Sequence, residues 1–361
     1  MKVLIVNSAD KWGGGETHVY DLVLGLQEKG IEVIVACRQE SALHARLMDN
    51  QIPCFVLPLL NSIDFYSVYK IVKFISEEKI NVIHAHLSRD YWLCTMAGLF
   101  NSKVKVILTR HVLFPLKRSF FHKFLLRRVS KIICVSQATK QVLANHPDIV
   151  VERLEVIPNA IKEVKVSNVD NLKESLNIKK ENIAIGVFGS IEEIKGQQDF
   201  IEMARLVHAQ HPETKFYIVG HEKQVEYAKK IKGLAKEYGL LDHILFTGHR
   251  EDAISVMRTM DIVVSVAKQD AFGLVILEAM SQRRPVVAYA THGAMEIVQN
   301  DVCGILIQVN NYQYLAEKVL ELLTNDKLRR EFGESGEHFV KEHFNLQVMV
   351  EKTIEAYCRC F

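Results

Sequence analysis

Two carboxylates, Asp270 and Glu278, lie eight residues apart on either side of an apolar run. The run predicts a buried helix, and at helical pitch residues four and eight positions apart lie near one face. A carboxylate on such a face is costly unless it has a polar partner. The backbone N–H groups of Phe272, Gly273 and Leu274 would lie at the helix N-terminus, which attracts anions. The segment therefore offers donors to a phosphate and acceptors to hydroxyl groups, and a nucleotide sugar carries both.

In each half of the chain, one glycine turn follows the first predicted strand. The first contains Gly14 and Gly15, and three adjacent glycines allow the backbone to approach a ligand closely. The second runs from Gly189 through Ser190 to Gly196 and includes Lys195 just before a helix. A cation there opposes the helix dipole unless an anion binds nearby, which favours a diphosphate partner. A plain tight turn and a solvated lysine are the structural alternatives.

The first glycine turn does not match a dinucleotide-binding fingerprint. His18 occupies the position where that pattern requires its last glycine. The second predicted strand ends in Cys37 and Arg38, without the acidic residue that binds a nicotinamide ribose. Both features disfavour an NAD-dependent oxidoreductase.

Histidines end two neighbouring predicted strands. His84 and His86 end one of them, and His111 follows the next. Sites in parallel sheets form at the carboxyl ends of strands. A His-x-His pair is compatible with zinc, but only two ligands are evident and no spaced Cys or Glu completes a set. We therefore expect no metal, and histidines that contact a sugar or have a structural role.

A long basic segment lies in the first half of the chain. Residues 91–147 contain no Asp or Glu, and residues 117–128 predict a basic helix with an aromatic face. Such a helix suits the membrane–water interface or an acceptor, with each cation worth up to about 1 kcal/mol at an anionic surface. In the alternative interpretation Phe and Leu pack on the sheet and the cations are solvated. RNA binding has less support, because no RNA-binding motif is present. The candidate cations are Lys117, Arg118, Lys123, Arg127 and Arg128.

The elements that must position these residues form two series. A chain of 361 residues with 48% hydrophobic and 24% charged residues suits two globular domains. Strand-like runs alternate with helical patterns, pause near residues 156–159 and resume at Ile183, which predicts an α/β protein with two doubly wound parallel sheets. Ligands would bind in a cleft between the two. The expected strands are residues 2–6, 32–36, 54–57, 82–85, 104–109, 131–135, 183–189, 215–219, 243–247, 261–265, 285–289 and 304–309.

Bulk properties exclude several classes of function. A net charge of +2 argues against a nucleic-acid binder. No apolar stretch approaches the roughly 18 residues of a membrane span, and the first residues predict a strand rather than a signal peptide. Seven scattered cysteines indicate reduced thiols in a cytoplasmic protein.

Together these residues resemble the retaining GT-B glycosyltransferases, in particular family four, the group 1 nucleotide-sugar glycosyltransferases. The glycine loop, His111, residues 135–140, 157–159 and 189–196, and the acidic pair occur in the family's order along nearly the whole chain. The resemblance implies two Rossmann-like domains facing a central cleft. Residues 1–160 would form the acceptor-side domain and 161–342 the nucleotide-sugar-binding domain. Residues 343–361 would form a helix that crosses back to the N-terminal domain.

The resemblance also implies roles for single residues. His111 would contact the donor sugar, Lys195 would neutralise the leaving diphosphate, and Asp270 would lie near the sugar. Glu278 would bind the donor ribose, and Arg250 would lie where the family holds the nucleobase. The full set expected to bind the donor is Gly14, Gly15, Gly189, Ser190, Arg250, Phe272, Gly273, Leu274 and Glu278.

The chain departs from the family pattern at three places. Asp270 replaces the usual Glu, Ser190 replaces an Arg, and a Gly-Gly turn is replaced by Thr291-His292-Gly293. Losing a buried charge partner commonly costs about 2–5 kcal/mol, so we expect Arg250 to substitute or donor affinity to be modest.

The expected function is transfer of a sugar from a nucleotide-diphosphate sugar to a hydroxyl acceptor, with retention of configuration and without metal or cofactor. A glycan or glycolipid acceptor in bacterial lipopolysaccharide or surface polysaccharide synthesis is expected. The protein would be cytoplasmic with an optional contact to the inner membrane surface, and no nucleic acid would bind. Two alternatives remain: a non-catalytic nucleotide-sugar-binding homologue, prompted by Ser190, and a nucleotide-sugar 2-epimerase.

Overall fold

A computed structural model describes residues 1–116, 118–164 and 166–361. The chain divides into two compact units. Unit 1 comprises Met1–Lys162 and Asn345–Phe361, and unit 2 comprises Glu163–Phe344. Each unit contains one parallel sheet with helices in its crossovers, which confirms the expected α/β class.

Unit 1 is built on a seven-stranded parallel sheet. Its strands are β1 (Lys2–Asn7), β2 (Glu32–Cys37), β3 (Cys54–Val56), β4 (Val82–Ala85), β5 (Lys105–Arg110), β6 (Val129–Cys134) and β7 (Leu154–Val156). Their order is β3-β2-β1-β4-β5-β6-β7. The direction of winding reverses between β1 and β4, and the carboxyl ends of strands at such a point are where ligands bind.

Unit 2 repeats the plan with six parallel strands. They are β8 (Ala184–Phe188), β9 (Lys215–Val219), β10 (Ile244–Gly248), β11 (Ile262–Ser265), β12 (Val286–Tyr289) and β13 (Ile305–Ile307). Their order is β10-β9-β8-β11-β12-β13, so winding reverses between β8 and β11.

Fifteen α-helices occur in the described residues. They are α1 (Gly14–Glu28), α2 (Ala42–Asp49), α3 (Phe65–Glu77), α4 (Ser88–Leu99), α5 (Phe120–Leu126), α6 (Gln137–Ala144), α7 (Val169–Ser175), α8 (Gln197–His208), α9 (Val225–Glu237), α10 (Ala253–Thr259), α11 (Leu274–Ser281), α12 (His292–Ile297), α13 (Tyr312–Thr324), α14 (Asp326–His343) and α15 (Leu346–Cys358). None of them is both long and apolar enough to cross a membrane.

Apolar side chains cover both faces of the unit 1 sheet. Ile71, Leu93 and Leu125 of α3, α4 and α5 belong to one buried cluster, whereas Leu22 of α1 and Tyr357 of α15 belong to the other. Full burial of one such side chain contributes about 1.5–3 kcal/mol. Because strands buried on both faces must be apolar throughout, they read as continuous apolar runs in the sequence.

Two expectations about elements were wrong. The strand β7 was not expected, since it has three residues and only Leu154 is buried. The helix expected over residues 117–128 is shorter, because Ser119 Oγ accepts a hydrogen bond from His122 N (3.2 Å) and caps α5 at Phe120. In contrast, the expected break near Phe344 is present: α14 ends at His343, and Asn345 caps α15.

The seven cysteines are free, as expected from their odd number and scattered positions. Cys37, Cys94, Cys134 and Cys303 are buried, whereas Cys358 is exposed.

Candidate functional site

An ion pair joins two loops at the carboxyl edge of the unit 2 sheet. Lys195 Nζ lies 3.2 Å from Asp270 Oδ2, and the two side chains are 30% and 27% exposed. Lys195 ends a 3-10 turn, and Asp270 lies in the loop between β11 and α11. Lys268 N also donates to the Ile194 carbonyl at 2.8 Å. These contacts bring together two residues expected to be catalytic, although they are 75 positions apart in the chain.

Gly196 allows this approach. Its φ of +70° lies in the left-handed region, and a Cβ at this position would lie 2.1 Å from the Val266 carbonyl oxygen. Only glycine tolerates both the conformation and the contact. The glycine therefore holds the Lys195 turn against the loop that carries Asp270.

The loop that leads into α11 is organised by Asp270. Asp270 Oδ1 accepts from Phe272 N at 3.3 Å, and its carbonyl accepts from Gly293 N at 3.3 Å. The helix begins at Leu274, with Gly273 as its N-cap. Of the three N–H groups expected to face an anion, that of Phe272 is thus directed at the Asp270 carboxylate. Glu278 is half-buried one turn into the helix.

The altered Thr291-His292-Gly293 turn keeps the one glycine that packing requires. A Cβ on Gly293 would lie 2.5 Å from the carbonyl carbon and oxygen of Phe272, a distance that real Cβ atoms do not reach. Thr291 instead caps α12, its Oγ1 accepting from Ala294 N at 3.4 Å. The departure from the family pattern therefore falls on a capping position and leaves the close approach intact.

Ser190 belongs to a small polar network. Its Oγ donates to Glu192 Oε1 at 2.6 Å, and Lys223 Nζ lies 2.8 Å from the other Glu192 oxygen. Burial raises the pKa of Glu192, but hydrogen bonds from Lys223 and Ser190 outweigh it and lower that pKa. Sequence reasoning missed Glu192 and Lys223. Lys223 could have been found from its position in the loop after β9, because β9 is the neighbour of β8 and the two loops lie side by side.

Arg250 is engaged within its own loop. Its Nε and Nη2 donate to the two carboxylate oxygens of Asp252, both at 2.7 Å. This bidentate hydrogen bonding lowers the pKa of Asp252. An anion that used Arg250 in place of the missing arginine would have to compete with Asp252.

In unit 1 the histidine ring nitrogens that lie together are not those of the His84 and His86 pair seen in the sequence. His84 bonds Tyr357 Oη (2.7 Å) and Thr109 Oγ1 (2.6 Å), so both of its ring nitrogens are used inside the core. His86 Nδ1 instead lies 3.3 Å from His111 Nε2. One ring nitrogen from each of His18, His86 and His111 lies within 4.8 Å of the others. The sequence made only two possible ligands evident, but His84 is used inside the core, and His18 of α1 reaches the same edge as His86 and His111.

Burial keeps these imidazoles neutral. It lowers the pKa of His18 to about 4 and that of His84 to about 3. The pKa values of His86 and His111 are lowered well below their usual range for the same reason. Among the described residues, no well-formed hydrogen bond reaches His18 Nδ1 or His86 Nε2, although the nearby Asn159 side chain raises the pKa of His18. The edge therefore presents uncharged rings with unused nitrogen atoms.

Two buried acids lie near the glycine loop and were missed by sequence reasoning. Gly14 and Gly15 open α1, followed by Glu16, whose Oε1 accepts from Asn7 Nδ2 at 3.3 Å. Asp90 Oδ2 accepts from Ser8 N at 3.0 Å. Burial raises the pKa of Glu16, and it raises that of Asp90 to about 7. No pattern marks these positions in the sequence, since the strand ends that bury them come together only in the fold.

The basic segment divides into exposed and structural residues. Arg118, Lys123 and Arg127 are exposed, and Lys123 lies 3.2 Å from Asp148. Arg128 is not a surface cation as expected: its guanidinium donates to the carbonyls of Gly98, Asn101 and Val104 at 2.6–2.9 Å. Lys117 lies outside the described residues. The phenylalanines at positions 120, 121 and 124 are exposed on α5, and Phe120 is 89% exposed.

Both halves of the chain match family models. The model described as Glycosyl transferases group 1 matches residues 168–339, and that of Glycosyltransferase Family 4 matches residues 12–163. The chain belongs to the group 1 glycosyltransferases. This membership confirms the resemblance seen in the sequence and makes the protein a transferase enzyme.

Relatives and solved structures agree with this membership. An uncharacterized glycosyltransferase of Methanocaldococcus jannaschii is 28% identical over 95% of this chain and 94% of its own. The Escherichia coli UDP-Gal:alpha-D-GlcNAc-diphosphoundecaprenol alpha-1,3-galactosyltransferase is 22% identical over 92% and 90%. The crystal structure of Anabaena HepE in complex with UDP and glucose has a TM-score of 0.87 at 22% identity and covers 99% of this glycosyltransferase and 100% of HepE. The likeness to HepE shows the fold, and the expected pair of Rossmann-like domains is confirmed.

Proposed function

We propose that this glycosyltransferase transfers a sugar from a nucleotide-diphosphate sugar to a hydroxyl acceptor with retention of configuration. The observation that carries the proposal is the Lys195–Asp270 pair beside the start of α11. A cation, the N-terminus of a helix and two carboxylates in one unit match the groups of a nucleotide-diphosphate sugar. The cation and the helix N-terminus suit phosphate groups, and the carboxylates suit hydroxyl groups.

The chemical role of Lys195 is to stabilise the charge that develops on the departing diphosphate. Asp270 holds the lysine side chain in place before the donor binds, because the pair is at hydrogen-bonding distance. A lysine and backbone N–H groups can supply the positive field that a divalent ion supplies elsewhere, so no metal is required for transfer. Glu278, in the second turn of α11, would accept hydrogen bonds from the donor ribose.

The relatives favour a UDP-sugar donor and a lipid-linked acceptor. HepE was crystallised with UDP and glucose, and the Escherichia coli enzyme is named for a UDP-Gal donor and a diphosphoundecaprenol-linked acceptor. With this similarity in support, we propose that the protein acts in bacterial surface polysaccharide or lipopolysaccharide synthesis, on the cytoplasmic side of the membrane.

A nucleotide-release assay tests the reaction. The purified protein is incubated with UDP-, GDP- and ADP-sugars, each with a soluble hydroxyl acceptor and with a diphosphoundecaprenol-linked sugar, and the anomeric configuration of the product is read by NMR. We expect acceptor-dependent release of UDP and an α-linked product from an α-linked donor. An inverted product would exclude the retaining mechanism, and release of free sugar with no acceptor product would exclude transfer.

The surface of α5 supports contact with an anionic membrane. Phe120, Phe121 and Phe124 are exposed beside the exposed cations Arg118 and Arg127. Aromatic side chains next to cations suit the headgroup region. We expect sedimentation with vesicles containing phosphatidylglycerol, but not with vesicles of phosphatidylcholine alone. Replacing the three phenylalanines by serine should abolish it at unchanged melting temperature; sedimentation that persists would exclude this surface.

A further inference from the structure

We propose that His18, His86 and His111 form a binding site for a transition-metal ion of the zinc class. The site goes beyond the proposed transfer reaction, which needs no metal. Its basis is the convergence of three imidazoles at one point of unit 1, with one ring nitrogen of each within 4.8 Å of the others.

The sheet topology brings the three ligands together. His86 and His111 follow the adjacent parallel strands β4 and β5, in which Ala85 pairs with Leu108. His18 lies on α1, which connects β1 to β2, and β1 is the other neighbour of β4. His18 and His86 therefore flank the point where the winding of the sheet reverses, and His111 lies one strand further along the same edge. Ligands that come from three separate elements, each fixed by a buried core, form a preorganised site.

The distances fit an ion with nitrogen ligands. His86 Nδ1 and His111 Nε2 lie 3.3 Å apart. Two nitrogens bound tetrahedrally at about 2.0–2.1 Å from zinc are about 3.3–3.4 Å apart, so this pair already has the spacing of one edge. The remaining nitrogen atoms lie at most 4.8 Å apart. A rotation of the His18 ring that moves its nitrogen by at most roughly 1.5 Å would close the set around an ion.

The state of the nitrogen atoms also points to a ligand. His18 is 6% exposed, yet its Nδ1 atom makes no well-formed hydrogen bond within the described residues; the nearby Asn159 side chain raises the pKa of His18, but its own Oδ1 is also without a well-formed hydrogen bond. Burying a polar atom without a full hydrogen bond is costly, and an ion bound at His18 Nδ1 would give that atom a partner. His111 is only half-buried, which leaves a side of the site open to solvent and to a fourth ligand such as water.

Imidazole ligands define the class of ion. Neutral nitrogen donors suit Zn²⁺, Co²⁺, Ni²⁺ and Cu²⁺, whereas Mg²⁺ and Ca²⁺ prefer oxygen. A bound ion would hold His111, the residue expected to contact the donor sugar. Metal binding would therefore inhibit transfer. The inhibition rests on the proposed function, but the binding does not.

Titration with Co²⁺ alone tests the binding. We expect one Co²⁺ per chain, with visible absorption of the intensity typical of four-coordinate nitrogen sites, and its displacement by Zn²⁺. The His18→Gln variant should bind at least about 10-fold more weakly, because one of three ligands is lost. The matched control is His243→Gln, which removes one histidine of the His208–His243 pair in unit 2 (ring centroids 4.0 Å apart) and should leave the titration unchanged.

The Co²⁺ titration has results that would contradict the metal site. Absence of a stoichiometric site in the wild type, or equal Co²⁺ affinity in His18→Gln, would overturn the metal site. If His18→Gln does not fold, as judged by circular dichroism, the same comparison is made with His111→Gln. Zn²⁺ should also raise the melting temperature of the wild type but not of the variant. Binding without inhibition of sugar transfer would keep the site and reject the role of His111 in donor contact.

Discussion

The carboxyl edges of the two parallel sheets occupy equivalent topological positions but differ in chemistry. In unit 2 the edge carries a half-exposed ion pair, Lys195 and Asp270, held by loops that pack through glycine. In unit 1 the edge carries neutral imidazoles, with His18 and His86 buried. The charged edge suits an anionic ligand, whereas neutral rings suit hydroxyl groups or a metal ion. The same fold thus supports two kinds of recognition, decided by exposure and by loop residues.

The largest expected effect is at the charged edge. Lys195→Ala should lower kcat by about 10²–10³-fold, because it removes a cation that stabilises developing charge on the diphosphate. Steady-state nucleotide release measures this. The control is Lys268→Ala, which removes an exposed lysine from the same loop as Asp270 and should leave kcat unchanged. Equal losses in both variants would show that Lys195 has no specific role.

The second effect tests whether glycine packing builds the charged edge. Gly293→Ala would place a Cβ 2.5 Å from the Phe272 backbone and should lower the free energy of unfolding by about 1–3 kcal/mol. Gly233 in α9 has no neighbour within 4 Å of an added Cβ, so Gly233→Ala should stabilise by up to about 1 kcal/mol. Denaturant unfolding of both variants measures the contrast. An unaffected Gly293→Ala variant would contradict the packing argument.

The third effect concerns buried ionisable groups in unit 1. Burial raises the pKa of Asp90 to about 7, whereas an unfolded Asp titrates near 3.9. The neutral carboxyl therefore contributes stability that is complete below pH 4 and is lost as pH rises through 7. The Asp90→Asn variant should not lose stability in this way. The difference between its melting temperature and that of the wild type should therefore increase from pH 5 to pH 8. Parallel pH profiles of the two proteins would contradict the assignment.

The smallest effect is expected for an ion pair of the same length in the other unit. Lys123 and Asp148 are 3.2 Å apart, as are Lys195 and Asp270, but Lys123 is 54% exposed and lies on α5. Lys123→Ala should change the free energy of unfolding by less than about 1 kcal/mol and leave nucleotide affinity unchanged. Calorimetric titration with UDP and thermal unfolding measure both quantities. A loss of nucleotide affinity would show that α5 takes part in donor binding.

The alternation of strands and helices was readable because buried parallel strands must be apolar along their whole length. The runs at Val82–Ala85 and Lys215–Val219 gave β4 and β9 with their observed limits. The strand β7 escaped notice because a short edge strand with one buried side chain leaves no apolar run. The length of the α5 helix was misjudged, since a Ser119 cap competes with a continuing basic pattern.

The sequence by itself determined the fold class, the family and the order of its motifs, because these depend on local periodicity and on residue spacing along the chain. Only the tertiary structure decided which histidines lie together and that Arg128 donates hydrogen bonds to backbone carbonyls. It also decided that Ser190 and Lys223 both contact Glu192. These outcomes depend on distances between residues far apart in sequence and on which side chains lose contact with water. The periodicity of the sequence indicates neither these distances nor this burial, because loops from different strands meet only when the sheet has formed.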